Sequence, residues 1–216
     1  MRRPNVLAGA GGIGFGVLTL VSLVVGNPPG GTYVASNIGP YLASGHFPAV
    51  LIATVAELLG LVGLICLLAY LREAISVTPG NQLAASVFWG AGLTAVAAFA
   101  VGEGIAAASP INQNFGGSAA IIAPAISYLI LEVGNVILLG PAAMLMGFAM
   151  IVLMLGSRAI LPTWLRWLTL IFGVIALASL AFFPFFILLI WSVVVGVWLV
   201  VAGRASTSSP GVVAAG

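Results

Sequence analysis

The fold class this sequence predicts is an all-α, polytopic membrane bundle of about six spans with both termini in the cytoplasm. Three observations predict it. Only 5% of the 216 residues are charged, whereas 62% are hydrophobic. The apolar residues gather in runs of about 20, the length that crosses a hydrocarbon core of about 30 Å at about 1.5 Å per helical residue. All six cationic side chains are arginines, and they fall in alternate connections between those runs.

A soluble domain carries roughly 25% charged residues, because its surface must meet water. Ten charged side chains leave a chain of this length without such a surface, so lipid must cover most of it. The length fits one domain, expected over residues 1–203, with a short, polar, disordered cytoplasmic tail over 204–216. The formal net charge of +2 is too small and too dispersed for nucleic-acid binding. The single cysteine, Cys66, lies inside an apolar run and reads as a small buried hydrophobe.

The first span is expected from about Val6 to Val25, ended by Asn27, Pro28, Pro29, Gly30 and Gly31, which cannot continue a helix. Its apolar run is longer than the core of a secretory signal and no small-residue cleavage site follows, so it reads as a span and not a leader. Residues Thr32 to Ser44 suit a short interfacial helix with Val34, Ile38, Tyr41 and Leu42 on its apolar side. The second span runs from about Ala49 to Tyr70 and is closed by Arg72 and Glu73. A turn at Pro79, Gly80, Asn81 and Gln82 leads to the third, about Ala84 to Ala108, which is expected to stop at Ser109-Pro110. The fourth crossing is about Val136 to Leu155. Before it, Ile121 to Asn135 is either an outward extension of that helix or a separate piece, with Pro141 a candidate kink. Gly156 to Trp167 forms a connection. The fifth span is about Leu168 to Phe182, and a tight turn at Pro184 precedes the sixth, about Phe186 to Val201.

With six spans, Arg2, Arg3, Arg72, Arg158, Arg166 and Arg204 all fall on one side. The excess of positive charge in cytoplasmic loops then places both termini inside, and an odd number of spans breaks the agreement. Trp164 and Trp167 beside Arg166, and Tyr33 and Tyr41 in the first outer loop, suit interfacial anchoring.

Chemistry is concentrated in a few groups. Glu57 lies near mid-membrane in the second span, Glu103 in the outer part of the third, and Glu132 near the outer boundary before the fourth crossing. A carboxyl in a span costs at least about 2–3 kcal/mol and turns to the protein interior or to a water-filled cavity. Thr54, Glu57, Gly60 and Leu64 share one helical face, and Gly102 and Gly104 flank Glu103. Tyr128, Glu132 and Asn135 form a ridge at helical spacing, and His46 ends the first outer loop. These six, Glu57, Glu103, Glu132, Asn135, Tyr128 and His46, are the candidate ligand- or ion-binding residues: an outer-half site for a proton, a cation or a small polar ligand. Two carboxyls brought close suit a shared proton. The competing reading is a non-catalytic accessory or structural subunit in which each glutamate bonds a neighbouring helix. The inner halves of the spans are nearly all apolar, which favours binding or packing over conduction.

Enzyme templates fit poorly. Aspartate is absent, one histidine and one cysteine exclude the usual zinc sets, and no phosphate loop occurs. No metal, cofactor or catalytic residue is therefore expected. The run Gly9, Gly11, Gly12, Gly14, Gly16 opens a span and reads as helix packing. The expected partners are the lipid bilayer and further copies or subunits of a membrane complex. The stretch Gly26-Asn27-Pro28-Pro29 to His46-Phe47, and Leu161-Pro162-Thr163-Trp164-Leu165-Arg166-Trp167 leading to Gly173, resemble small six-span actinobacterial integral membrane proteins of unassigned function. The resemblance implies a bacterial plasma membrane and no particular activity.

The topology makes a direct prediction. Reporter fusions after Arg72, Arg158 and Arg204 read as cytoplasmic, and fusions near Ser36 and Asn114 read as external; an external signal at Arg158 overturns the six-span arrangement.

Overall fold

A computed structural model describes residues 3–29, 34–115, 122–158, 160–179 and 185–205. The described chain is helical throughout: α1 (Arg3–Gly26), α2 (Ala35–Leu42), α3 (Phe47–Ser76), α4 (Gln82–Phe115), α5 (Pro124–Ile137), a π-helical turn (Leu138–Ala142), α6 (Ala143–Gly156), α7 (Thr163–Leu177) and α8 (Phe185–Ala205). Five helices are long and apolar enough to cross a membrane: Asn5–Gly26, Phe47–Ser76, Gln82–Phe115, Pro124–Gly156 and Phe185–Gly203. The protein is a helical membrane bundle. The fifth expected span, α7, has 15 residues, which reach about 22 Å against a core of about 30 Å.

Several boundaries move from their expected places. The third expected span does not stop at Ser109-Pro110. α4 carries Pro110 inside it and runs on through Asn112, Gln113 and Asn114 to Phe115, where the Asn114 amide bonds the Pro110 carbonyl at 2.8 Å. Its 34 residues extend about 51 Å, longer than a hydrocarbon core of about 30 Å, so its polar end projects beyond it. α5 and α6 form one continuous helix from Pro124 to Gly156, so the segment before the fourth crossing is an outward extension. Pro141 lies in its π turn. Proline has no N–H to give the preceding turn, and the widened π turn absorbs that loss while the Ser179 hydroxyl bonds the Gly140 carbonyl at 3.1 Å. The helix beginning at Thr163 takes up residues expected in a connection, and it ends at Leu177, short of Phe182. α8 runs to Ala205, past the expected start of the tail at Arg204. The expected turn at Pro184, Tyr33 in the first outer loop, Arg2, and the tail over 206–216 lie outside the described residues.

The helices close into a ring. α1 packs against α3 and α8, α3 against α4, α4 against α5 and α6, α6 against α7, and α7 against α8. Glycines stand at four of these crossings. Gly11 opposes Gly63, Gly9 opposes Gly196, Gly102 opposes Gly134, and Gly147 opposes Gly173. In the last three pairs a Cβ added on either member would lie between 2.5 and 2.9 Å from the facing carbonyl oxygen. Gly12 and Gly16 also meet α8, whereas Gly14 faces open space. Cys66 is half-buried beside Gly11 and is a free thiol.

Inside the ring the core is large and apolar. Phe15, Phe99 and Phe185 are each at most 1% exposed, with ring centroids 6.4 Å apart for Phe15 and Phe99 and 5.8 Å for Phe99 and Phe185. The Trp191 indole donates to the Thr169 hydroxyl at 3.0 Å, joining α8 to α7 inside the bundle. The described arginine side chains lie at the end where α1 begins and α8 ends. There Arg72 sits 5.8 Å from the Trp89 ring centre, the Arg166 guanidinium donates to the Met154 carbonyl, and Asn81 bonds the Gly156 carbonyl at 2.9 Å. Trp164 and Trp167 are exposed beside Arg166.

The glycine crossings carry a prediction about stability. Gly11→Val forces α1 off α3 and costs about 1–3 kcal/mol, whereas Gly14→Val, on the same helix and facing open space, stays within about 0.5 kcal/mol. Reversible unfolding in mixed micelles reads the difference, and equal losses for the two variants would refute the close-packing role of Gly11.

Candidate functional site

The α7–α8 hairpin ends near the π turn, as the Ser179–Gly140 bond requires, while α4 and α5 continue past it. The far end of the bundle therefore consists of α1, α3, α4 and α5, with the short α2 laid among them. Ile38, Tyr41 and Leu42 of α2 are buried, together with Val50, Ala106, Ala107, Tyr128 and Leu131. α2 thus turns its apolar side to the bundle, and Val34 remains exposed.

A cavity of about 70 Å³ lies in this part of the protein. Its polar lining comes from Ser22 on α1, Tyr41 on α2, Thr54 on α3, Glu103 on α4 and Asn135 on α5. Its walls are apolar, with Leu23, Val50, Leu131, Leu138 and Leu139 among them. The Thr54 hydroxyl donates to Glu103 Oε1 at 3.0 Å, across the α3–α4 contact. Glu103 and Asn135 meet here for a local reason. Each directly follows a glycine of the Gly102–Gly134 pair, so the closest approach of α4 and α5 also brings the carboxyl and the amide to the same cavity. The larger grooves, about 330 Å³ between α1 and α8 and about 450 Å³ beside Pro141 and Phe148, are lined by apolar residues and glycine only.

Glu57 lies one turn deeper on α3 than Thr54 and is 2% exposed. It does not line the cavity but feels the charge of Glu103. The Thr19 hydroxyl on α1 faces it, short of hydrogen-bond geometry, so Glu57 Oε1 and Thr19 Oγ1 are both buried without a hydrogen bond among the described residues. Beneath them Gly60 packs on Phe15, and the Phe15–Phe99–Phe185 layer closes the way toward the arginine end.

The other candidate residues take different places. His46 is half-buried, its Nε2 lies 2.9 Å from the Gly26 carbonyl, and its ring is 5.5 Å from that of Tyr41. It ties the start of α3 to the end of α1 and stays out of the cavity lining. Tyr128 and Glu132 interact one turn apart on α5, one to two turns before Asn135, and neither lines the cavity. The six expected residues therefore divide: Glu103 and Asn135 line the cavity, Glu57 lies just below it, and Tyr128, Glu132 and His46 stand around it.

Tyr41, Ser22 and Thr19 are the polar groups that sequence reasoning passed over or assigned elsewhere. Thr19 and Ser22 are three apart and Gly26 follows four later, a helical spacing that marks one face of α1. Tyr41 was read as an interfacial anchor. Burial first, and then the nearby Glu103 charge, hold its phenol above the ordinary range, so it remains a hydroxyl donor at the cavity edge. Among the described residues no group of three metal-ligating side chains occurs.

Fold and site together define a helical membrane protein with an acidic cavity among the helices at one end. The chain matches no protein-family model, no curated protein and no solved structure.

The Thr54–Glu103 bond can be weighed directly. A double-mutant cycle with Thr54→Val and Glu103→Leu, which removes the acceptor, is expected to give a coupling of about 0.6–1.7 kcal/mol, the range of interhelical hydrogen bonds in bilayers. Additive effects in the same unfolding assay would mean that this bond does not hold α3 to α4.

Proposed function

We propose that the protein binds a small positively charged solute, a proton included, in the cavity at Glu103, from the outer face of a bacterial plasma membrane. One observation carries this reading: the cavity holds a carboxyl, an amide, a phenol and hydroxyls, with no cationic side chain in its lining. A carboxylate there attracts positive charge, and low-dielectric walls strengthen that attraction. Six crossings with cytoplasmic termini are part of the proposal. The arginine asymmetry supports them, as does the antiparallel packing of α1 on α8, which leaves Gly203 beside Asn5 and Val6. The resemblance to actinobacterial six-span proteins supports the choice of membrane.

The reading is of binding without passage. The core under Glu57 is mainly apolar, and among the described residues its buried Thr169 and Ser192 hydroxyls are engaged by the Trp191 indole and the Leu189 carbonyl. A second reading, a structural subunit, is favoured by one specific fact: the Thr54–Glu103 bond joins two helices and would serve packing alone. A larger membrane complex or a homo-oligomer fits either reading.

Glu→Gln substitution separates them, because glutamine keeps the size and hydrogen-bonding capacity of the side chain but cannot ionise. Purified wild type is expected to melt at temperatures that depend on cation concentration and pH, and folded Glu103→Gln and Glu57→Gln are expected to lose most of that dependence. In liposomes with a pH-sensitive dye inside, wild type is expected to pass no more protons than empty vesicles. A wild type whose melting ignores cations and pH, with both Gln variants indistinguishable from it, refutes the binding reading and leaves packing. Proton flux in wild type refutes binding without passage.

A further inference from the structure

Resting on that cation-binding reading, we infer that the ligand is a small primary ammonium ion with a short aliphatic tail. Four constraints of the cavity select it. Its size, about 70 Å³, accommodates a few waters or a ligand of a few heavy atoms. Its charge is acidic: Glu103 lines it, Glu57 lies just below, and no cationic side chain faces it. An anion is repelled, and a neutral ligand leaves the carboxyl without a counter-charge.

The third constraint is the number and placement of acceptors. Thr54 occupies Glu103 Oε1, which leaves Oε2 for the ligand. Asn135 and Tyr41 each bring one further oxygen to the lining. An ammonium head has three donors and no acceptor, so three oxygens from α2, α4 and α5 satisfy it. A divalent metal ion takes about six to eight oxygen ligands and usually more than one carboxylate among them, whereas Glu103 is the single carboxyl in this lining. The fourth constraint is the wall. Leu23, Leu131 and Leu138 line the cavity. They leave a hydrated inorganic ion without partners on that side, whereas a methyl or ethyl group fills the space and gains burial. Glu57, buried with Oε1 unpartnered, adds a second carboxyl whose attraction the ligand meets from above.

The experiment is thermal melting of the purified full-length chain in nanodiscs, titrated with ethylammonium chloride, sodium chloride, potassium chloride and ethanol. Ethylammonium is expected to stabilise at concentrations about tenfold lower than sodium or potassium, and ethanol is expected to do nothing. Glu103→Gln is expected to raise the required ethylammonium concentration about tenfold, and Tyr41→Phe, which keeps the ring and its packing, about threefold. If Glu103→Gln does not fold, Tyr41→Phe and the four wild-type titrations still decide. Sodium or potassium acting as well as ethylammonium overturns the ammonium assignment and leaves the cation site standing. Ethanol matching ethylammonium overturns it by showing that charge plays no part. No response to any cation or to pH overturns both this inference and the reading beneath it.

Discussion

Within a bilayer the tails of the lipids are as apolar as leucine, so helices gain little by hiding leucine from them. What holds them together is close van der Waals contact, and the approach of two backbones sets how much of it there is. The rest of this structure depends on the four places where that approach is closest: Gly11 on Gly63, Gly9 on Gly196, Gly102 on Gly134 and Gly147 on Gly173. Together these pairs fix α8 to α1, α1 to α3, α4 to α5, and α6 to α7. Once they are fixed, the remaining contacts of the ring, α3 on α4 and α7 on α8, are filled by ordinary side chains. A methyl group at any of these glycines meets the carbonyl of the opposite helix, which is rigid backbone and cannot turn aside.

The same crossings position the polar groups. At Gly102–Gly134 the two backbones are close, and the next residues, Glu103 and Asn135, come with them. The cavity exists because the ring is not equally thick along its length. Near the arginines it has all its helices and a core of phenylalanine, leucine, methionine and tryptophan. Toward α2 the α7–α8 hairpin has ended, and α1, α3, α4 and α5 remain, capped by one short helix. A ring that loses two members cannot keep the same filling, and there polar side chains and space replace large apolar ones.

How much of this could be read in the sequence follows from how far each signal reaches. Spans are local: about 20 apolar residues in a row announce themselves, and the glycine run from Gly9 to Gly16 announces close packing, though not which helix it packs on. The polar residues Glu57, Glu103 and Asn135 were legible because charge or amide in an apolar run is rare. That Glu103 meets Asn135 and not Glu132 was not legible, because the two share one ridge and the choice depends on the height at which α5 is set against α4, which the Gly102–Gly134 contact fixes from outside the segment. The continuation of α4 past Pro110 was hidden for another reason. Proline normally ends a helix, and the contacts that accompany this continuation, Ile111 on the α2–α5 cluster and Phe115 on Phe47, come from outside any local window. Tyr41 was ambiguous by nature, since an aromatic near a membrane boundary has the same composition whether it anchors in lipid or turns inward.

The two ends of the molecule are opposite in electrostatic character, and this bears on what the cavity can do. Arginines occupy one end and are held by backbone carbonyls and an aromatic ring. Three of the four glutamates, Glu57, Glu103 and Glu132, occupy the other half, and among the described residues no arginine lies beside them. Between the two lies the Phe15–Phe99–Phe185 layer, three buried aromatic rings that offer a proton or a partly hydrated ion no hydrogen bond. Moving an ion through such a layer costs several kcal/mol unless the helices part, and parting them means separating the glycine crossings on either side. The packing that brings Glu103 and Asn135 together is therefore the packing that blocks the path beyond them. Binding at this end and closure toward the other arise from one set of contacts, and a change that loosened the crossings to open a path would also disperse the site.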